Sequence, residues 1–190
     1  MKDVCDMQNC TGSLNPRCVA AQAAGESHKC MFAEYTLPYT ESLIMPVGSA
    51  YDSAGTACVV GAEPSISPAK SGAGNCSAVP GWAECEGNSS KCTKEQWEKI
   101  EAYGNAFIER IEKSDKLHQD GNGLFEYNCH THDIEVTKAW MLYSTNGVIM
   151  RDAVSKWYFS DNEPASNHFY KDCVNHESYS CNPSCSIPVR

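Results

Sequence analysis

The sequence predicts an α/β fold with a disulfide-rich periphery, and three observations carry this prediction. Two short apolar runs, at residues 43–47 and 124–127, have the composition of buried strands. A strongly amphipathic helix lies between them, at about residues 94–113. Twelve cysteines are distributed along the chain. Because parallel strands need a long crossover connection, a strand–helix–strand order favours a parallel sheet over a hairpin.

Composition narrows the class of protein before any motif is considered. The chain has 190 residues, 42% of them hydrophobic, which is enough for one domain or a large part of one. The net charge of −9 argues against nucleic acid and anionic membrane surfaces as partners, because both bind clustered Lys and Arg. No apolar run approaches the roughly 18 residues of a membrane span. No apolar segment follows Met1, so the sequence contains no signal peptide, and for a secreted chain this suggests that a segment is missing at the N-terminus.

The cysteines indicate an oxidising compartment. Their even number allows six disulfides, whose connectivity the sequence does not reveal. Three Asn-x-Ser/Thr tripeptides, at Asn9, Asn75 and Asn88, are candidate glycosylation sites. We therefore expect a secreted glycoprotein.

The first half of the chain alternates turn-rich and apolar segments. Residues 1–31 are interpreted as loops closed by disulfides, with one helical turn at 19–24. The run at 43–47 is interpreted as a buried strand, although Pro46 removes a ladder donor. Asp52 follows this strand. An acid in that position can orient a histidine, and it can equally cap the next helix or turn.

Residues 55–92 are rich in Gly, Ser, Pro and Ala and form a predicted insertion, in which Cys85 and Cys92 are plausible partners. Thr93 and Gln96 then form a capping box that starts the amphipathic helix. Its apolar face is expected to be core, and consists of Trp97, Ile100, Tyr103, Phe107, Ile108 and Ile111.

The strand at 124–127 ends in a cluster of Cys129, His130 and His132. A loop held by a rigid sheet is a common position for a general base, and imidazole exchanges protons near neutral pH. The alternative is a metal site, which is disfavoured because a Cys-x-x-Cys pair is missing and Cys129 is expected in a disulfide. Short helices are predicted at 134–143 and 152–159. The remaining histidines, namely His28, His118, His168 and His176, are expected on the surface.

Several segments, in this order, resemble the pectin acetylesterase and Notum family. They are Asn9-Cys10-Thr11, Leu14-Asn15-Pro16, Cys30-Met31-Phe32, Ala50-Tyr51-Asp52-Ser53, Trp82…Cys85…Cys92-Thr93, Gly123-Leu124-Phe125…Asn128-Cys129-His130-Thr131-His132, Ala153-Val154…Trp157-Tyr158-Phe159 and Cys181-Asn182-Pro183-Ser184-Cys185. Each segment alone is short, but the ordered set covers nearly the whole chain.

The resemblance implies an α/β-hydrolase fold with a Ser-Asp-His triad. The family's acid maps onto Asp52, and its histidine, the last residue of Cys-x-x-His, maps onto His132 and not His130. No Gly-x-Ser-x-Gly motif is present. Residues 1–190 are therefore interpreted as the C-terminal part of a single hydrolase domain, with the insertion at 55–92 inside it and the half that bears the serine outside this chain. Ala54-Gly55 and Asp133 depart from the family pattern.

The activity that the resemblance implies is hydrolysis of O-acetyl or other O-acyl esters on a cell-wall polysaccharide or a glycoprotein. It requires no cofactor and no metal. The alternative is a truncated or degenerate relative, a disulfide-stapled structural or carbohydrate-binding module in which aromatic side chains such as Trp82 stack on sugars.

Overall fold

The computed structural model describes residues 2–55, 81–82, 84–85, 89–132, 137–160, 163–172 and 181–186. Its centre is a small parallel sheet of strands β1 (Val47–Ser49), β2 (Leu124–Tyr127) and, near the C-terminus, β5 (Phe169–Tyr170), in the order β1-β2-β5. Between β2 and β5 in the chain, β3 (Ser144–Thr145) and β4 (Val148–Ile149) form an antiparallel ribbon. Strands and helices together confirm the α/β class.

Strand β2 is the middle of the sheet and of the core. Its four residues are all buried, as expected for a parallel strand covered on both faces. Val47 pairs with Phe125 on one side, and Phe125 pairs with Tyr170 on the other. The prediction that the two apolar runs share one sheet is therefore confirmed.

The position of β1 differs from the predicted strand at 43–47. Leu43 is 47% exposed, and the strand starts only at Val47. Pro46 explains the late start, because proline has no N–H to offer a ladder. Its carbonyl still accepts a 2.9 Å hydrogen bond from the Phe125 N–H, so the segment approaches β2 without forming regular strand.

The amphipathic helix was predicted almost to the residue. Helix α5 spans Lys94–Glu112, and both hydrogen bonds of the Thr93–Gln96 capping box are present. Ile100 is fully buried. The expectation that the whole apolar face is core is wrong at Phe107, which is 38% exposed. Gly104 permits the close approach of α5 to the sheet, because a Cβ there would lie 2.7 Å from the carbonyl oxygen of Ala50.

The first part of the chain is more helical than predicted. Helices α1 (Lys2–Gln8) and α2 (Pro16–Ala21) replace the loops with one helical turn that were expected at 1–31. Two further short helices follow, α3 (Ala33–Thr36) and α4 (Ser53–Gly55). The Asn15 side chain caps α2 by accepting from the Arg17 and Cys18 N–H groups. All four helices are below the length that is stable alone, and the Cys5–Cys10 and Cys18–Cys30 disulfides hold α1 and α2.

After β2, helix α6 spans Met150–Tyr158, as predicted for 152–159. Its Trp157 indole donates to the carbonyl of Gly121 at 2.8 Å. The helix predicted at 134–143 is reduced to a 3-10 turn, and residues 134–136 lie outside the described ranges. The 3-10 segments are Cys10–Ser13, Ser27–Met31, Leu37–Tyr39, Ser89–Lys91, Lys138–Met141, Ala165–His168 and Pro183–Ser186.

Every described cysteine is disulfide-bonded. The pairs with both partners described are Cys5–Cys10, Cys18–Cys30, Cys85–Cys92 and Cys129–Cys185. The predicted Cys85–Cys92 pair is thus confirmed. Most of the predicted insertion at 55–92, together with Cys58, Cys76, Cys173, Asn75 and Asn88, lies outside the described residues. No helix in the described ranges is long and apolar enough to cross a bilayer.

Candidate active site

Two chain segments meet at the carboxyl end of the sheet. One follows β1 and leads to Asp52, and the other follows β2 and leads to His132. They are joined by successive hydrogen bonds: the Ala50 N–H donates to the carbonyl of Tyr127 at 2.8 Å, and the Ser53 N–H donates to the carbonyl of Thr131 at 3.1 Å. The pairing of β1 with β2 therefore continues beyond the strands, into the loops that follow them. This pairing brings residues that are 80 positions apart in sequence side by side.

Asp52 and His132 are hydrogen-bonded. The distance from His132 Nδ1 to Asp52 Oδ2 is 2.8 Å, and the two side chains are 48% and 31% exposed. A carboxylate accepts only, so the geometry assigns the ring proton to Nδ1. In the neutral imidazole this leaves Nε2 as the basic nitrogen. An imidazole with a fixed tautomer and a basic nitrogen can take a proton from a hydroxyl group.

Asp52 also caps the short helix that follows it. Its Oδ1 accepts a 2.5 Å hydrogen bond from the Gly55 N–H. The two roles that the sequence left open for this acid, orienting a histidine and capping the next turn, are thus performed by its two oxygens. Because both oxygens are engaged, the carboxylate has a defined orientation toward the His132 ring.

His130 lies near this pair but in a different environment. Its ring is half-buried and meets the Trp97 ring edge-on, with 6.4 Å between centroids. Burial lowers the pKa of His130, while the negative charge of Asp52 acts in the opposite direction. Its neighbour Cys129 is bonded to Cys185 and offers no thiolate. The Cys129–His130–His132 metal alternative is contradicted by that disulfide. Within the described residues, no group of three or more His, Cys, Asp or Glu side chains is arranged to hold a metal ion.

A buried acid lies near the site, and no sequence pattern indicated it. Glu126 in β2 is only 7% exposed. Its Oε2 accepts from the Asp172 N–H at 2.9 Å, and Asp172 Oδ2 in turn accepts from the Asn128 N–H at 3.0 Å. Burial raises the pKa of Glu126 to about 7; the hydrogen bond from the Asp172 N–H opposes this increase, and the negative charge of Asp172 adds to it. These two hydrogen bonds hold the end of β2 in place, and the loop that leads to His132 begins there.

Glu126, Asn128 and Asp172 line a crevice of about 200 Å³ at the carboxyl ends of the three parallel strands, and Asp52 and His132 are not among its lining residues. Tyr51 follows β1, Asn128 follows β2, and Asp172 follows β5. Helix α5 contributes Asn105 to its wall. Open parallel sheets bind ligands at this end, so the crevice and the Asp52–His132 pair share the functional edge.

One other sequence expectation is wrong, and one alternative loses its support. His168, expected on the surface, is 0% exposed, and its Nε2 lies 3.1 Å from Ser160 Oγ. Trp82, considered as a sugar-stacking surface, is buried against the cluster that contains Tyr51 and Ile100. His118 is exposed, as expected, and stacks on Phe169. His176 lies outside the described residues.

Comparison with known proteins gives one match. The model of a family described as Pectinacetylesterase matches residues 1–186. No curated protein and no solved structure matches the chain.

Proposed function

Because this chain belongs to the pectinacetylesterase family, we propose that it supplies the acid and the base of a carboxylic-ester hydrolase that removes acetyl groups from a polysaccharide. Family membership indicates an acetylesterase and a polysaccharide-type substrate. The observation that carries the residue assignment is the 2.8 Å hydrogen bond between His132 and Asp52 at the carboxyl end of a parallel sheet. Among the described residues, Asp52 and His132 are the acid and the histidine that match the family's motifs, and they also lie at this end of the sheet.

In the proposed mechanism, His132 Nε2 removes the proton from a serine hydroxyl as the serine oxygen attacks the acetyl carbonyl carbon. The tetrahedral intermediate collapses when the C–O bond to the sugar breaks, and the imidazolium returns its proton to the sugar oxygen. Water, deprotonated by His132, then attacks the carbonyl carbon of the acetyl-serine. The bond from that carbon to the serine oxygen breaks, acetate is released, and the imidazolium returns its proton to the serine oxygen. Asp52 keeps the ring proton on Nδ1 and stabilises the imidazolium in both steps.

The serine is proposed to come from a segment outside these 190 residues, because the sequence contains no Gly-x-Ser-x-Gly motif. The sheet β1-β2-β5 would then be the C-terminal part of an α/β-hydrolase sheet. This arrangement fits the usual Ser…Asp…His chain order of that fold. The exposure of the Asp52 and His132 side chains is consistent with a partner surface that carries the nucleophile.

A second candidate function is a non-catalytic extracellular module, and the missing nucleophile motif is the observation that favours it. The four described disulfides suit either function, since both place the protein in the secretory pathway. The burial of Trp82 weakens the sugar-stacking form of this alternative.

Two measurements separate the candidates. A fluorophosphonate probe should label no serine in the 190-residue chain, and acetate release from acetylated pectin should be absent. The longer reading frame should encode a Gly-x-Ser-x-Gly motif upstream, and its protein should be labelled and should release acetate. A longer protein that has no such motif and no activity would favour the non-catalytic module.

A further inference from the structure

Trp97 lies where helix α5 meets the two loops of the candidate site. It belongs to the first turn of the helix, whose start is fixed by the Thr93–Gln96 capping box. The Gln96 side chain also donates a 2.8 Å hydrogen bond to the carbonyl of Gly81. The position of the Trp97 side chain is therefore set by hydrogen bonds at the N-terminus of the helix.

The indole ring of Trp97 contacts one ring from each loop. On the loop that carries Asp52, the Tyr51 ring meets it edge-on, with 6.1 Å between the centroids and 74° between the ring planes. On the loop that carries His132, the His130 ring meets it edge-on as well, at 6.4 Å and 63°. Both distances lie in the range of about 4.5–7 Å at which aromatic rings attract each other. One side chain thus joins the residue before Asp52 to a residue two positions before His132.

The two rings that Trp97 contacts are themselves held in the fold. Tyr51 is buried in the cluster that contains Trp82, and Trp97 packs against the same cluster. His130 is half-buried, and burial lowers its pKa, while the negative charge of Asp52 acts in the opposite direction. The His130 ring is therefore mostly neutral at neutral pH. Because a neutral imidazole is easier to bury than a charged one, His130 is suited to anchor its loop on the Trp97 ring.

From these contacts we infer that Trp97 is a positioning residue for the Asp52–His132 pair. It acts through Tyr51 and His130, by holding the two loops at the separation at which the Asp52 carboxylate reaches His132 Nδ1. The inference rests on the proposed function for its catalytic meaning. The arrangement itself is testable without activity, because the position of the proton on the neutral His132 ring reports whether Asp52 is in place.

The test measures the ratio of the Nδ1–H to the Nε2–H tautomer of His132 by nitrogen NMR in histidine-labelled 190-residue protein, at a pH where the ring is neutral. Trp97→Leu removes both ring contacts and keeps an apolar side chain. It should lower the ratio about fivefold, the effect expected when two aromatic contacts are lost. Trp97→Phe keeps an aromatic ring at this position and should stay within about twofold of the wild type.

The matched control is Trp82→Leu, the same substitution at a buried tryptophan of the same cluster. It removes core packing and should leave the ratio unchanged, so that a loss of stability is separated from a loss of position. Asp52→Asn tests the pair itself and should lower the ratio most, because an amide can donate to Nδ1. An unchanged ratio in folded Trp97→Leu, or an equal fall in Trp97→Phe or Trp82→Leu, would overturn the role of Trp97. An unchanged ratio in Asp52→Asn would instead contradict the pair on which the proposed function rests, and the inference with it.

Discussion

The Ser49 hydroxyl donates a 2.5 Å hydrogen bond to the carbonyl oxygen of Cys129, and both residues are buried. The same hydroxyl accepts a 3.0 Å hydrogen bond from the Tyr51 N–H. Ser49 is the last residue of β1, and Cys129 begins the loop that leads to His132. One side chain therefore joins the two loops at their origin and fixes the start of the Asp52 segment. The relative position of Asp52 and His132 therefore depends on the Ser49–Cys129 hydrogen bond as well as on their own hydrogen bond.

Ser49→Ala is expected to lower the free energy of unfolding by about 1–3 kcal/mol. It leaves the buried Tyr51 N–H without its acceptor and the Cys129 carbonyl without this donor. Urea unfolding measures the loss. Ser27→Ala is the control, because the Ser27 hydroxyl pairs with Thr11 on the surface, and it should cost less than about 0.5 kcal/mol. Equal losses in the two variants would remove the structural role assigned to Ser49.

The raised pKa of Glu126 predicts that the stability of the protein depends on pH. Its pKa in the folded protein is about 7, against a reference of 4.5, so the folded state binds the proton more tightly. Stability should therefore decrease as pH rises from about 4.5 to about 7 and then level off. The contribution is at most about 3 kcal/mol, from 1.36 kcal/mol per pKa unit.

Glu126→Gln keeps an acceptor for the Asp172 N–H and removes the titration. Urea unfolding across pH 4.5–7.5 should show a flatter profile for this variant. Glu98→Gln, on the exposed face of α5, is the control and should retain the wild-type slope. If Glu126→Gln retains that slope as well, Glu126 does not titrate with the raised pKa described above.

The disulfide between Cys129 and Cys185 closes a loop with a sequence separation of 56 residues next to the site. Replacing both cysteines by alanine is expected to cost about 2–4 kcal/mol, because the unfolded chain regains the freedom of that loop. Cys5 and Cys10 are separated by only 5 residues, so their double replacement should cost less. Chemical denaturation of the two variants tests the ranking, and a larger loss for the Cys5–Cys10 pair would reverse it.

The sequence predicted best the features that local chemistry determines. The capping box at Thr93 and Gln96 fixed the start of α5, because both of its hydrogen bonds join residues three apart. The apolar run at 124–127 indicated a short strand, and the structure shows all four of its residues buried. The β1 boundary was missed because its position depends on where β2 offers partners beyond Pro46, and a single run of residues does not contain that information.

Features that depend on distant partners were not predictable from periodicity. Glu126 is a polar residue within an apolar strand, and its partner Asp172 lies 46 residues away. His168 has polar neighbours in sequence and is nonetheless enclosed by the fold. The expected hydrogen bond between Asp52 and His132 is present, but its prediction came from the ordered family segments and not from spacing. Tyr103 was assigned to the core face of α5 from helical spacing, and it is half-buried there.

We propose that His132 and Asp52 are the base and the acid of an acetylesterase. The most direct measurement is acetate release from acetylated pectin by the longer protein that carries the serine, comparing wild type, His132→Ala and the surface control His118→Ala. His132→Ala should lower kcat by at least about 10³-fold with an unchanged circular dichroism spectrum. His118→Ala should retain wild-type turnover. Wild-type turnover in correctly folded His132→Ala would contradict the assignment.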